Sequence, residues 1–310
     1  MSAVLGATAA GVGDGGVRAA TGPRRDGGAG RARPGSGGRV LRFTALVLGA
    51  LLFLFPFYYM VLGSLQKTPD TSLGGLVPRG SNLTTANYTA IGTAISLPHA
   101  LFSSGVFTGG VILCTVVLGL LAGYAMAVLE FRGREALFAL LLLVQVIPFQ
   151  LLMIPLYVLV TRDYGLSDTY LGMILPFAIN ATAVFIFRQF FLGLPTSLFE
   201  AARVDGASEL AILWRVALPL CRPAILTAVL LTFIGPWNEF LWPFLVTKQQ
   251  DQQPLAVALA NYVSSVAAAA DNPFGTVLAG ACVLAAPAVV LFLLFQKRFV
   301  STQLGSGVKG

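Results

Sequence analysis

The sequence predicts an all-α, polytopic transmembrane helical protein of six spans, and three observations predict it. Hydrophobic residues make up 56% of the 310 positions and charged residues only 11%, less than half of the roughly 25% charge usual in soluble domains. The mean hydropathy is +0.80. The apolar residues are gathered into six runs, each about as long as the 18 or more residues that cross a bilayer as a helix. Runs this continuous satisfy their backbone polar groups internally, whereas barrel strands are shorter and alternate apolar with polar. Too little chain remains for a separate soluble enzyme domain.

Taken in order, residues 1–42 are rich in Gly, Ala and Arg and contain no aromatic residue. Such a segment buries too little surface to offset its ordering entropy, so it is expected to be a disordered, basic, cytoplasmic N-terminal tail. A cleavable signal peptide needs an apolar core of about 7 to 15 residues. The run over 43–65 is long enough to span and is expected to stay as the first helix. Residues 66–104 form a polar connection rich in Ser, Thr, Asn and Gly. It contains LVPRGS at 76–81, the letters of a thrombin cleavage tag, among residues that read as native loop, and the single histidine, His99, beside Pro98.

The second span, 105–129, carries two G-x-x-x-G spacings, Gly105 with Gly109 and Gly119 with Gly123, which let helix backbones approach. The third, 136–160, holds Gln145 and Gln150 and is expected to kink at Pro148 and Pro155. The fourth, 169–191, holds Asn180 at its middle and Arg188, expected to snorkel to the interface. The fifth, 224–246, is interrupted by Gly235-Pro236 ahead of Asn238 and Glu239, and the sixth covers 274–296. Residues 43–300 thus form one transmembrane domain, followed by a cytoplasmic tail, 301–310. Cys114, Cys221 and Cys282 are isolated, without a C-x-x-C metal or redox spacing, and read as small packing residues.

The net charge of +7 is a matter of topology and not of nucleic acid. With the N-terminus inside, sixteen Lys and Arg residues fall on that side: Arg18, Arg24, Arg25, Arg31, Arg33, Arg39, Arg42, Arg132, Arg134, Arg188, Arg203, Arg215, Arg222, Lys297, Arg298 and Lys309. Four, Lys67, Arg79, Arg162 and Lys248, fall outside. Positive residues favour cytoplasmic loops, so both termini are expected in the cytoplasm.

The informative connection is the inner one over 192–223. It is too polar to span, yet is punctuated as two short helices. Pro195 precedes a capping-box spacing, Ser197 with Glu200 three residues on; Asp205-Gly206 marks a break; a second helix runs from about Ser208 to Leu218, where Pro219 stops it. Residues 200–219, EAARVDGASELAILWRVALP, resemble the signature loop of ABC importer permeases, E-A-A-x3-G-x9-I-x-L-P. Glu200, Ala201, Ala202, Gly206, Leu218 and Pro219 fall at the right spacings, with Val216 where the pattern has Ile. FRGR at 131–134, IPLY at 154–157, GLSDTYLGMILP at 165–176 and WNEFLWPFLVT at 237–247 extend the resemblance to carbohydrate-importer permeases of the maltose-permease type over about 43–299.

The resemblance implies a type I importer-like permease fold for 43–300 and makes 195–223 the coupling loop. Glu200, Ala201, Ala202, Asp205, Gly206, Leu218 and Pro219 would then meet a cytoplasmic ATPase dimer, with Leu198, Phe199, Leu210, Leu213 and Trp214 as apolar anchors. The other implied partners are a second permease subunit, an extracytoplasmic solute-binding protein, a sugar or oligosaccharide substrate and membrane lipid. The chain lacks G-x-x-x-x-G-K-[ST], so no cofactor and no catalytic chemistry are expected in it; ATP and Mg belong to the partner. No metal site is expected either.

Polar groups inside spans face a cavity or a partner helix, which makes Asn180, Asn238, Glu239 and Gln150 candidates for the substrate path. The bland alternative is helix-to-helix hydrogen bonding, and Glu239 has a second one, capping structure beyond an early end of the fifth helix. A non-sugar cargo is a further alternative. An ion-coupled secondary transporter would show an internal repeat and intramembrane ion pairs, and neither is visible. A scaffold without transport would keep the loop as a docking site only.

Overall fold

The computed structural model describes residues 36–68, 72–265 and 271–304, with side chains for all of these except 36, 37, 73 and 297–304. The expected N-terminal tail lies outside the described residues over 1–35, but residues 36–42 already belong to the first helix, α1 (Ser36–Ser64). At the other end the last helix runs on to Leu304, into the expected C-terminal tail. The chain divides into two units, 1–52 and 53–310. In the first, the described residues are the helical stretch 36–52, with its large apolar side chains exposed.

The second unit contains every other element. After α1 come α2 (Ala86–Ala94), α3 (Leu97–Val128), α4 (Arg134–Val144), α5 (Phe149–Tyr157), α6 (Tyr170–Ile174), α7 (Ala181–Leu192), α8 (Thr196–Val204), α9 (Glu209–Ile212), α10 (Leu218–Leu220), α11 (Arg222–Asn238), α12 (Leu241–Val246), α13 (Leu255–Ser265) and α14 (Pro273–Leu304). No strand occurs among the described residues, and the fold is all-α.

Three helices are long and apolar enough to cross a bilayer unbroken: Gly38–Ser64, Leu97–Val128 and Pro273–Gln296. The third and fourth expected spans are not straight, and the fifth is met at an angle by the connection that precedes it. Arg134–Val144 meets Phe149–Asp163 at 91°, Tyr170–Phe177 meets Ala181–Leu192 at 51°, and Glu209–Leu220 meets Arg222–Asn238 at 75°. Each break has a chemical cause. Pro148 stands at the start of α5 and donates no N–H back to the preceding turn, as expected. Pro176 likewise ends the α6 segment, and Asn180 restarts the chain by accepting from the Ala183 amide at 3.1 Å. Pro223, one residue inside α11, cannot bond the turn before Cys221.

The fifth span also ends early. α11 stops at Asn238, two residues after Pro236, and a separate α12 follows instead of one helix to 246. α3 starts earlier than expected, so His99 lies in its exposed first turn and not in a loop.

α3 organises the second unit, packing along α7 and α11. A Cβ on Gly123 would lie 2.6 Å from the Phe187 Cβ, and one on Gly119 would lie 3.2 Å from that of Ala183. That G-x-x-x-G pair is what admits α7. Gly105 and Gly109 meet nothing within 4 Å, so among the described residues the upstream pair packs against no neighbour. The main core gathers Tyr124, Phe187, Phe191, Phe199, Ile212, Leu213, Cys221 and Ala224 around the loop end of α3. At its opposite end a second cluster joins Ile91, Ile95, Ala100, Leu255, Ala258, Tyr262 and Ala279.

Arg188 is not a snorkelling side chain. It is 9% exposed, donates to both Glu135 carboxylate oxygens at 2.8 Å and to the Met126 carbonyl at 3.3 Å, and lies 4.1 Å over the Phe138 ring. The Glu135 carboxylate on α4, the Met126 carbonyl and the Phe138 ring offset part of the cost of taking the guanidinium out of water.

Candidate functional site: the helix pair at 195–223

The loop folds as two short helices with a built-in bend. α8 begins at Thr196 with Pro195 before it, and no side chain caps its start. The expected capping box is therefore not formed: Ser197 is already inside the first turn, where its hydroxyl no longer faces the free amides. α8 ends as a Schellman cap. The Gly206 amide donates to the Arg203 carbonyl at 3.0 Å and the Ala207 amide to the Ala202 carbonyl at 3.0 Å. This closure needs a left-handed residue, and Gly206 supplies it with φ +81°. The glycine of the motif is thus a backbone requirement, and Ala202 contributes its carbonyl as well as its small size.

Ser208 then caps α9 through the Ala211 amide at 3.3 Å. The helix does not stop at Pro219. It widens into a π-turn over Leu213–Ala217 and continues as α10 to Leu220. The wider turn absorbs the missing N–H and the ring of Pro219. Cys221, fully buried, is the joint between this segment and α11.

The pair has two faces. Phe199, Ile212, Leu213, Ala217 and Cys221 are buried in the main core, so Phe199 and Leu213, expected as anchors for a partner, are instead anchors to the chain's own spans. Leu198, Leu210 and Trp214 keep 41%, 61% and 52% of their surface exposed, and Val204, which the sequence reading passed over, keeps 87%. Glu200, Ala201, Asp205, Gly206 and Pro219 are exposed beside them, and Leu218 is half-buried. Apolar and charged groups stand together on a surface that the described residues leave uncovered.

A charged constellation that sequence reasoning missed holds the bend. Arg203, in the last turn of α8, donates through Nε to Glu209 Oε1 at 2.7 Å and through Nη2 to Oε2 at 3.4 Å. Tyr124 on α3 donates its hydroxyl to the same Oε2 at 2.8 Å. The hydrogen bond from Arg203 lowers the Glu209 carboxyl pKa, and the phenol adds to the lowering against an opposing effect of partial burial. The two charges also suit their helix ends, a cation at the C-terminus of α8 and an anion at the N-terminus of α9. The Arg203–Glu209 spacing lies inside the motif, but Tyr124 comes from 79 positions before Arg203, and nothing local marks it. Glu130, Arg134, Thr196, Glu200 and Arg203 line a cleft of about 170 Å³ beside the pair.

The four path candidates are not brought to one point by any described hydrogen bond. Asn180 caps α7 and lines a cavity of about 100 Å³ with Thr182, Ala228 and Thr232. The Asn238 amide donates to the Ile234 carbonyl of its own helix at 2.9 Å. Glu239 accepts from the Leu241 and Trp242 amides at 3.1 and 3.3 Å, capping α12 beyond the early end of the fifth helix. Gln150 is exposed in the first turn of α5. Gln145 bonds Thr182 at 2.7 Å, tying the third span to the fourth.

Comparison with known proteins matches this architecture. A family described as binding-protein-dependent transport system inner membrane component matches residues 115–300, a stretch that includes the whole helix pair. The chain is 35% identical, over 84% of its length and 92% of the relative's, to the arabinooligosaccharides transport system permease protein AraQ of Bacillus subtilis (strain 168). It is 32% identical, over 84% and 94%, to the sn-glycerol-3-phosphate transport system permease protein UgpE of Agrobacterium fabrum (strain C58 / ATCC 33970). In fold it is similar to a chain of a bacterial ABC transporter involved in the import of the acidic polysaccharide alginate, with a TM-score of 0.73 at 24% identity, covering 84% of this chain and 96% of that one. With the bent spans, the Schellman-capped loop and these likenesses in agreement, the chain belongs to the family of binding-protein-dependent transport system inner membrane components.

Proposed function

We propose that the chain is one permease subunit of an ATP-binding-cassette importer that carries a sugar or oligosaccharide, and that the helix pair at 195–223 receives the movement of a separate cytoplasmic ATPase. The carrying observation is the two-faced pair: one side is built into the membrane bundle through Phe199, Ile212 and Leu213, and the other presents Leu198, Val204, Leu210 and Trp214 with Glu200. A surface of exposed apolar groups rimmed by charge is what a docking site requires. Ala201 and Gly206 keep it low enough for close approach, and Asp205 sits at the bend. The chain supplies no catalytic residue, cofactor or metal; ATP and Mg are the partner's. A second permease subunit completes the path, and an extracytoplasmic solute-binding protein delivers the cargo to the far side. Both termini lie in the cytoplasm, as the sixteen-to-four division of Lys and Arg supports. Of the path candidates, Asn180 has the best support, because it borders a cavity at a helix break; Asn238, Glu239 and Gln150 stand at or beside breaks.

The sugar reading rests on the likeness to AraQ, and the likeness to UgpE favours a second cargo class, a phosphorylated polyol. Uptake of radiolabelled arabino-oligosaccharide and of glycerol 3-phosphate in cells expressing the full complex separates the two. For coupling, Glu200→Lys is expected to lose uptake and co-purification of the ATPase together, at least about fivefold each, in the range of linked sites. Unchanged uptake with the ATPase still bound removes the coupling role.

A further inference from the structure

We propose that Arg203, Glu209 and Tyr124 form a latch that makes α3 a strut, carrying movement of the helix pair to the segment that follows the fifth span at the opposite end of the molecule. The inference rests on the coupling reading above and assigns how that movement leaves the loop.

At the loop end the contacts are specific. Glu209 is shared between Arg203, across the Gly206 bend, and the Tyr124 hydroxyl. A change in the angle between α8 and α9 therefore pulls on α3. The Tyr124 ring is 4% exposed and is clamped edge-on by Phe191 at 5.6 Å and Phe199 at 6.2 Å. The ring cannot swing to follow the carboxylate without moving its helix. Charge-assisted hydrogen bonds of this kind are shorter and stronger than neutral ones.

The far end of α3 carries a matching set. Ser103 donates to the Asp251 carbonyl at 3.1 Å, and Ser104 accepts from the Leu255 amide at 2.8 Å. Both serines are buried. Their partners flank the turn that opens α13, directly beyond the fifth span. Ser104 and Tyr124 are 20 residues apart on one continuous helix whose sole proline, Pro98, sits in its first turn. At 1.5 Å per residue the two attachment points are about 30 Å apart, the thickness of a bilayer's hydrocarbon core. Unbroken α3 contrasts with the third and fourth spans, which are bent by 91° and 51°.

The test needs no knowledge of the cargo. Gln250, exposed at the far end, is replaced by Cys in the assembled complex, and a membrane-impermeant maleimide reads its labelling by mass spectrometry, with and without ATP trapped by vanadate. Nucleotide trapping is expected to change the labelling rate about fivefold in the otherwise native chain, the low end of coupling between sites. Tyr124→Phe, which removes one hydroxyl and keeps the ring, and Glu209→Gln, which removes the charge and keeps a carbonyl acceptor, are each expected to abolish that change while the complex still traps nucleotide. A change that persists in either assembled variant overturns the latch, as does a native complex that traps nucleotide with no response at position 250. Failure of the native chain to retain an ATPase is a different result, and it counts against the coupling reading itself.

Discussion

Gly206 shows how one backbone angle fixes a functional surface. Its φ of +81° closes the Schellman cap of α8 and starts the approach to Ser208. A Cβ there would meet nothing within 4 Å, so any penalty is conformational and not steric. For an L-residue the left-handed region costs roughly 1 to 2 kcal/mol, and Asn tolerates it better than most. Gly206→Ala is therefore expected to lower the melting temperature of the purified complex only slightly while reducing ATPase retention, and Gly206→Asn is expected to retain more ATPase than Gly206→Ala. The measurement is the amount of ATPase co-purified per permease. Equal retention by the two variants rejects the conformational explanation and points to contact with the partner instead. Glu200 contrasts with Gly206: it has no described hydrogen-bond partner and stands exposed, so its importance, where uptake shows it, belongs to what docks there and not to the cap.

Helices follow the same logic of close approach. The two G-x-x-x-G pairs of α3 read alike in sequence, yet a Cβ added to Gly123 would come within 2.6 Å of the Phe187 Cβ while one added to Gly105 would face open space. Gly123→Ala is expected to destabilise the chain by about 1 to 3 kcal/mol through overpacking, and Gly105→Ala to be near neutral in the isolated subunit. Thermal unfolding of the two variants in one detergent tests this, and similar losses at both sites contradict it. The same pair shows where sequence reading ends. The six apolar runs, the break at Asp205-Gly206 and the interruption at Pro236 were legible, because length, hydropathy and Pro or Gly are local signals. Which glycine pair meets a neighbour depends on how α7 crosses α3, and no local pattern carries that. The bends at 144–149 and 177–181 were legible only in part: Pro148 announced one, while the second depends on Asn180 acting as a cap, a role its place in the middle of an apolar run does not announce. Arg188 was misread because Glu135, 53 positions away, gives it a partner that snorkelling does not require. Tyr124, Arg203 and Glu209 escaped notice because the tie joins a span to a loop that lies far along the chain.

In the molecule as a whole, the connection after α1, described over 66–68 and 72–96, lies at the end of α3 away from the helix pair, and that connection supplies a test of orientation. Within it, Val77 and Arg79 have extended backbones, at φ −100°, ψ 121° and φ −111°, ψ 119°, and Val77, Pro78, Arg79, Gly80 and Ser81 are exposed. Proteases bind a substrate segment in extended form, as an added strand. The LVPR side of the Arg79–Gly80 bond is therefore close to that form, but Gly80–Asn82 is a 3-10 turn in which the Arg79 carbonyl accepts from the Asn82 amide at 2.9 Å, and Tyr58 holds the Leu76 carbonyl at 2.5 Å and Lys67 that of Ser81 at 3.2 Å. Cleavage therefore requires this short exposed turn to open locally. If the division of Lys and Arg sets the topology, thrombin added to intact spheroplasts or right-side-out vesicles cuts the chain into 1–79 and 80–310, and thrombin added to sealed inside-out vesicles does not. Arg79→Gln abolishes the cut, which separates this site from other arginines. Cleavage from the inside-out side alone would reverse the topology and carry the helix pair away from any cytoplasmic ATPase. Because one bond reports the side of the membrane for all six spans at once, the experiment decides the orientation on which the coupling role of 195–223 depends.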